Sequence, residues 1–259
     1  MPWGVAALAS SAAVLVAWWS RTLTASGALA AWTVGLLVLH GTGWQGGALL
    51  AAFFISSNLV SRVGPRPTTG LDPKSDRRDL WQVYANGGAA ALAAVLSPPA
   101  SPLGIWAVTG ALAAAAADTW ATSIGATSRL PPRLVWSGRT VPAGTSGGMT
   151  PAGNLGAAAG AFSVAATGAV VTGVPLLLLA GTLIGFLGMV ADSALGAALQ
   201  GRFHCPNCDE ASEWRVHRCG ASTSAKGGLS WLNNDGVNFL ATALAACAAL
   251  AAATWLYSA

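Results

Sequence analysis

The sequence predicts an all-α, polytopic transmembrane bundle of about eight helices, and three observations carry that expectation. Charged residues are 8% of the 259-residue chain, against roughly 25% in soluble globular domains. Apolar residues make up 54%, too many for a disordered or ordinary cytosolic chain. The stretches 22–61, 80–117, 140–191 and 236–259 carry no charge, whereas a bilayer crossing needs about 20 predominantly apolar residues.

Each span follows from where Gly and Pro interrupt those stretches. The first, near 3–19, has no basic residue before it and Arg21 after it, the reverse of a secretory signal, so it reads as a retained anchor. If it does not span, seven crossings remain. His40-Gly-Thr-Gly43 divides 25–40 from 45–60, and Ser97-Pro-Pro-Ala-Ser-Pro102 divides 83–97 from 102–122. Thr172-Gly-Val-Pro175 divides 153–172 from 175–199, and 236–256 closes the set. The chain reads as one integral membrane domain, 1–259, with a Cys/His-containing loop at about 201–232.

Basic residues orient the bundle. Arg21 follows the first span. Arg62, Arg66, Lys74, Arg77 and Arg78 follow the third, and Arg129, Arg133 and Arg139 follow the fifth. Arg202, Arg215, Arg218 and Lys226 follow the seventh, which accounts for all 13 Lys and Arg. The alternate connections are uncharged, so the positive-inside rule places the four basic loops in the cytoplasm and both termini outside. The net charge of +4 therefore records topology, and no clustered basic face points to nucleic acid. Trp18, Trp19, Trp44, Trp81, Trp106 and Trp231 stand near span ends, as interfacial anchors do.

Two carboxylates stand where charge is expensive. Asp118, in Asp118-Thr-Trp-Ala-Thr-Ser-Ile-Gly125, and Asp192, in Asp192-Ser-Ala-Leu-Gly-Ala-Ala-Leu-Gln200, lie in the cytoplasmic halves of their helices among small residues. An isolated Asp there can cap a helix or pair with Arg; two in matching contexts point to a site. Paired carboxylates facing an anionic substrate work through a divalent cation such as Mg²⁺, which prefers oxygen ligands and bridges to phosphate. Six asparagines, Asn58, Asn86, Asn154, Asn233, Asn234 and Asn238, fall at span ends on the same side. Each alone is an ordinary cap; together they outline a polar floor. Between the fifth and sixth spans, Gly144-Thr-Ser-Gly-Gly148 precedes a helix and can converge backbone N–H groups on an anion. A flexible turn has the same composition. No Walker lysine is present, and Arg139 offers a fork suited to phosphate.

Several segments align with a known pattern. Arg78-Asp-Leu-Trp-Gln-Val-Tyr-Ala-Asn-Gly-Gly88, Asp118-Thr-Trp-Ala-Thr-Ser-Ile-Gly125, Val141-Pro-Ala-Gly-Thr-Ser-Gly-Gly-Met-Thr150, Asp192 to Gln200 and Asn233-Asn-Asp-Gly-Val-Asn238 occur in that order. They resemble the signature segments of the DUF92 family of integral membrane proteins, which contains plant phytyl-phosphate kinase and animal transmembrane protein 19. The family's usual Gly-Thr-Asn-Gly-Gly is Gly-Thr-Ser-Gly-Gly in this chain.

The resemblance implies NTP- and Mg-dependent phosphoryl transfer to an isoprenoid monophosphate, giving the prenyl diphosphate at the cytoplasmic rim, with CTP or ATP as donor. It implies Asp118, Asp192 and Asp235 as catalytic residues, the first two holding Mg²⁺. Arg78, Asn86, Thr122, Arg139, Gly144, Thr145, Ser146, Gly147, Gly148, Asn234 and Asn238 would bind nucleotide or prenyl phosphate. A phosphate acceptor is already anionic, so no general base is required. A CTP-dependent lipid cytidylyltransferase or a prenyl alcohol kinase shares these requirements, and an ion-coupled carrier also uses intramembrane carboxylates.

The cysteines raise a separate question. Cys205-Pro-Asn-Cys208 and Cys219, with His217 and His204 nearby, have the ligand count for tetrahedral Zn²⁺. The alternative is a polar loop with free thiols. Cys247 lies inside the last span.

Overall fold

The computed structural model describes residues 1–63, 77–98 and 101–258. Arg66, Lys74, Asp72 and Asp76 of the longest charged loop lie outside the described residues. Seven helices are present among those described: α1 (Trp3–Trp19), α2 (Ala25–Val63), α3 (Leu80–Leu96), α4 (Pro102–Gly125), α5 (Pro151–Thr172), α6 (Leu176–Leu199) and α7 (Asn234–Ser258).

The second and third predicted spans share the single element α2, which turns back on itself at Gly43 (φ 67°, ψ −157°). A Cβ placed on Gly46 would meet Val38 Cγ1 at 2.7 Å, and one on Gly47 would meet Leu39 Cδ2 at 2.7 Å. Residues eight apart on a straight helix are about 12 Å apart, so the two arms run side by side in opposite directions. Arg78 confirms it: its carbonyl accepts from Thr24 N beside the first arm, while its guanidinium carbon lies 5.6 Å from the Phe53 ring centroid on the second. The reversal needs positive φ, which glycine adopts without a Cβ penalty.

Helix starts follow local chemistry. Asp79 and Gln82 form a reciprocal capping box on α3, Ser101 caps α4 ahead of Pro102, and Thr150 caps α5 ahead of Pro151. Gly173, in the left-handed region at φ 69°, ends α5. At the uncharged end of the bundle Met1 N donates to His40 O at 2.9 Å, and Trp3 stacks on His40.

α4 is the axis. It is buried without interruption from Gly104 to Ala117 and packs against α2, α3, α5, α6 and α7. Lipid tails are as apolar as leucine, so association rests on close backbone approach through small residues. The glycines show this: a Cβ on Gly110 would lie 2.6 Å from Ala245 O, on Gly160 2.7 Å from Ala116 O, and on Gly188 2.5 Å from Ala114 Cβ. Large apolar side chains point outward, including Leu179, Leu183 and Leu187 at four-residue spacing on α6.

By length and composition α2, α5, α6 and α7 can each cross a membrane, while α1 and α3 are shorter apolar helices of 17 residues. Trp106 departs from the expected interfacial role: it is 1% exposed, whereas Trp18, Trp19, Trp44, Trp81 and Trp231 are exposed. Its position in the second turn of the central helix α4 places it against the core.

Two small sheets interrupt the all-α pattern, both in charged-side connections. β1 (Arg133–Leu134) pairs antiparallel with β2 (Gly148–Met149). The 201–232 loop folds into a three-stranded antiparallel sheet, β4 (Glu210–Ser212), β3 (Arg202–Cys205) and β5 (Ser224–Gly227), in that order.

Candidate functional site

Asp118 and Asp192 each lie seven residues before the last residue of a helix, α4 ending at Gly125 and α6 at Leu199, about 10 Å along the axis from the charged end. They line one small cavity together with Asn86 of α3, and Asn238, Ala241 and Thr242 of α7; Ala114, Ala115 and Gly188 complete its wall. Four helices thus contribute to one site. Its interior takes about one water-sized occupant.

The polar groups are ordered by their own helices and by each other. Oriented with its nitrogen toward α6, the Asn238 carboxamide donates to Asp192 Oδ2 at 2.8 Å and to Asn234 O at 3.3 Å. Asn86 Nδ2 donates to Gln82 O at 2.9 Å. Thr242 Oγ1, in a residue only 2% exposed, contacts Ala85 O on α3 at 3.2 Å and Asn238 O at 2.9 Å, tying α7 to α3 beside the cavity. The hydroxyls following the two aspartates turn back onto their own helices: Thr119 Oγ1 donates to Ala115 O, and Ser193 Oγ faces Met189 Sδ. The gathered donors are all oxygen and amide groups, a set that suits a hard cation such as Mg²⁺.

The glycine-rich loop lies one turn nearer the charged end of α6. Gly147 (φ 79°) is pressed so closely on the helix that a Cβ would meet Ser193 O and Ala197 Cβ at 2.5 Å. Ser146 Oγ donates to Gln200 Oε1 at 2.7 Å, and Gln200 Nε2 donates to Glu213 Oε1 at 2.9 Å. Gln200 is 2% exposed. The loop is thereby anchored to the helix that carries Asp192. Thr145 N donates to Pro142 O and Gly148 N to Thr145 O, closing it locally; exposed Gly144 takes φ 83°.

Other expected site residues are placed elsewhere. Arg139 is exposed on the connection between β1 and β2, Thr122 is exposed one turn beyond Asp118, and neither lines the cavity. Arg78 lies over Phe53, and Asp235 and Asn234 stand in the first turn of α7. Of the six floor asparagines, only Asn86 and Asn238 reach the cavity. Asn233 Oδ1 accepts from Gly236 N at the start of α7, and Asn58 Nδ2 bonds Phe54 O on its own helix. Helical phase separates them: positions one residue apart differ by about 100° around the axis.

Three contributors were not anticipated from the sequence. Thr242 stands four residues after Asn238, a same-face spacing that would have flagged it. Gln200 and Glu213 had no such signal. Among the described residues, Trp120 Nε1, Ser57 Oγ and His217 Nε2 are buried without a hydrogen-bond partner; Trp120 lies two residues from Asp118 and packs on Gly160.

The cysteine cluster comes together at the charged end. The ligand atoms of Cys205, Cys208, His217 and Cys219 all lie within 4.8 Å of one another. The hydrogen bond with His217, ahead of a backbone bond from Ala221, lowers the Cys219 thiol to about 6. Its bond with Cys219 is the main cause that raises Cys208 to about 11.

The sequence profile of the integral membrane protein DUF92 family matches residues 8–246. The chain belongs to this family. It is a multi-pass integral membrane protein, consistent with its apolar helices. An uncharacterised membrane protein of Methanocaldococcus jannaschii is 34% identical over 185 residues, covering 70% of this chain and 76% of that one. Protein PGR of Arabidopsis thaliana is 29% identical over 258 residues, 86% of each chain. An uncharacterised membrane protein of Synechocystis is 27% identical over 196 residues, 71% and 74% respectively. No solved structure matches.

Proposed function

We propose that this member of the DUF92 family is a membrane-embedded isoprenoid monophosphate kinase that forms prenyl diphosphate from NTP with Mg²⁺. The observation that carries the reading is the meeting of Asp118 and Asp192 with Asn86, Asn238 and Thr242 in one cavity about 10 Å inside the charged end. Carboxylates at membrane depth are expensive and mark function, and the resemblance of the surrounding segments to those of the family that contains phytyl-phosphate kinase supports the reaction class.

Asp118 and Asp192 would hold Mg²⁺, which neutralises phosphate charge when bound. The chain's own groups do the rest. Asn238 orients Asp192 by its amide bond, and Asn86 presents a neutral carboxamide that adds no repulsion to a phosphate. The 144–148 loop, held on α6 by Ser146 and Gly147, uses the Thr145 and Gly148 N–H groups to close itself and leaves those of Gly144, Ser146 and Gly147 for anionic oxygens. The small cavity would take the ion, and the greasy tail would lie along the outward apolar faces, as a prenyl chain requires. Phosphoryl transfer of this kind rests on positioning and charge neutralisation. The basic loops at the same end support a cytoplasmic site, where nucleotide is available.

The test is incubation of the purified protein with prenyl alcohols and prenyl monophosphates plus ATP, CTP, GTP or UTP and Mg²⁺, with products read by mass spectrometry. Diphosphate from monophosphate alone is the expected result. A nucleotide-lipid conjugate would select a cytidylyltransferase, phosphorylated alcohol an alcohol kinase, and no product with any pair a carrier.

A further inference from the structure

We propose that Cys205, Cys208, His217 and Cys219 form a tetrahedral site for one Zn²⁺, whose role is to hold the charged-side sheet against the glycine-rich loop. This inference is independent of the kinase reading.

The spacing is that of ligands around a shared ion. With Zn–S near 2.3 Å and Zn–N near 2.0 Å, tetrahedral geometry puts sulfurs about 3.8 Å apart and nitrogen and sulfur about 3.5 Å apart. Cys205 Sγ and Cys219 Sγ are 3.6 Å apart, and His217 Nδ1 is 3.3 Å from Cys219 Sγ. A disulfide would bring sulfurs to about 2.05 Å, and all four cysteines are free thiols. A donor set of three sulfurs and one imidazole selects zinc over the hard cations that suit the carboxylate cavity.

Local folding brings the ligands together from two turns. Cys205 ends β3, and the Cys205–Cys208 turn is closed by Asp209 N donating to Cys205 O at 3.0 Å. On the facing side Gly220 N donates to His217 O at 2.8 Å, closing the turn that carries Cys219. The imidazole of His217 is fully buried, and its Nε2 lies 3.5 Å from Glu210 Oε2, which Arg218 also contacts at 3.0 Å. With Nδ1 on the metal, Nε2 makes no hydrogen bond as it stands, but the Glu210 carboxylate at 3.5 Å lies where a small shift would give the bond that fixes the tautomer of metal-bound histidines. His204 instead pairs with Asp209 at 3.1 Å and stays outside the set.

The sheet has little else to hold it. Within 202–227 only Phe203, Cys205, Ser212 and His217 are buried, far from a self-sufficient core. A metal staple replaces that core, as in small metal-dependent folds. From β4 the chain runs directly to Glu213, whose carboxylate accepts from buried Gln200, which accepts in turn from Ser146. Zinc therefore fixes the outer end of a relay that reaches the 144–148 loop.

The experiment is metal analysis of the full chain, expressed with zinc supplementation and purified in detergent. The expected result is one zinc per chain, lost in Cys208→Ser and Cys219→Ser and kept in His204→Ala, with elution on size exclusion reporting folding. Should the cysteine variants not fold, two measurements on the unmodified chain decide. Titration with an organomercurial should release zinc, read with a colorimetric chelator. Growth in Co²⁺ should give thiolate-to-cobalt charge-transfer bands and the intense d–d bands of a tetrahedral site. Hydrogen exchange at 141–150 should rise once the metal is released. A zinc-free chain with no cobalt spectrum would overturn the site, and zinc release without faster exchange at 141–150 would overturn its role.

Discussion

Asn238 of α7 donates its amide to Asp192 of α6 at 2.8 Å, joining two of the helices that close around the cavity. The bond fixes the carboxylate without adding charge. Hydrogen bonds to charged groups contribute about 1.5–3 kcal/mol, so Asn238→Ala should lower thermal stability in detergent by an amount of that order. Asn238→Asp should do worse without Mg²⁺, because it sets a second carboxylate against Asp192. Adding Mg²⁺ should then raise its melting temperature more than that of the unmodified chain, and equal shifts would argue against a metal at this cavity.

Neutral isosteres separate the three aspartates. Asp118→Asn and Asp192→Asn preserve shape, so both should fold and elute normally while diphosphate formation falls at least about 10²-fold, the scale of losing one preorganised electrostatic group. Full activity in either would remove the carboxylate from the mechanism. Asp235 stands in the first turn of α7 and outside the cavity wall. Its replacement by Asn removes the favourable placement of a carboxylate at a helix N-terminus, about 0.3–1 kcal/mol, and should lower turnover less than Asp118→Asn does.

Ser146→Ala removes the hydroxyl that donates to buried Gln200 Oε1. An unsatisfied buried acceptor costs about 1–3 kcal/mol. The loss should appear as faster limited proteolysis within 141–150 while the remainder of the bundle stays protected.

Gly147→Ala tests the seat of the same loop by sterics. Its φ of 79° disfavours a Cβ, and that atom would sit 2.5 Å from Ser193 O. Strain at such a position costs about 1–3 kcal/mol. The loop should lift from α6, raising the KM for nucleotide or prenyl phosphate more than it alters the melting temperature.

Gly110→Val probes the bundle itself. The added side chain would enter the contact with Ala245 O, which lies only 2.6 Å from where a Cβ on Gly110 would stand, forcing α4 and α7 apart. Overpacking of this kind costs about 1–3 kcal/mol, which melting in detergent should show, whereas Gly4→Ala, with nothing within 4 Å, should be neutral.

Much of this was legible in the residues. Scarcity of charge marked the chain as membrane-embedded, and the Gly and Pro breaks placed the helix ends within a few residues. The 25–40 and 45–60 spans reappear as the arms of α2 because Gly43 supplies the positive φ that a tight reversal needs. Asp118 and Asp192 stood out because a carboxylate in an apolar run is costly, whatever surrounds it. The Cys205, Cys208, His217 and Cys219 spacing was likewise local.

Facing was not legible. The sequence put six asparagines on one side of the bundle but held no record of helix rotation, so it could not separate Asn86 and Asn238, which reach the cavity, from Asn233, which caps a helix. It set Arg139 beside the phosphate loop by proximity in the chain, while the β1–β2 pairing leaves that side chain exposed. It read Trp106 as an anchor, while packing of five helices around α4 buries it. Burial cost and backbone strain are properties of single residues and their neighbours, so the sequence by itself determined the membrane class, the helix ends and the two aspartates. Which groups meet depends on the phase and contact of helices far apart in the chain, and only the tertiary structure decided that Asn238 faces Asp192 and that Gln200 joins Ser146 to Glu213.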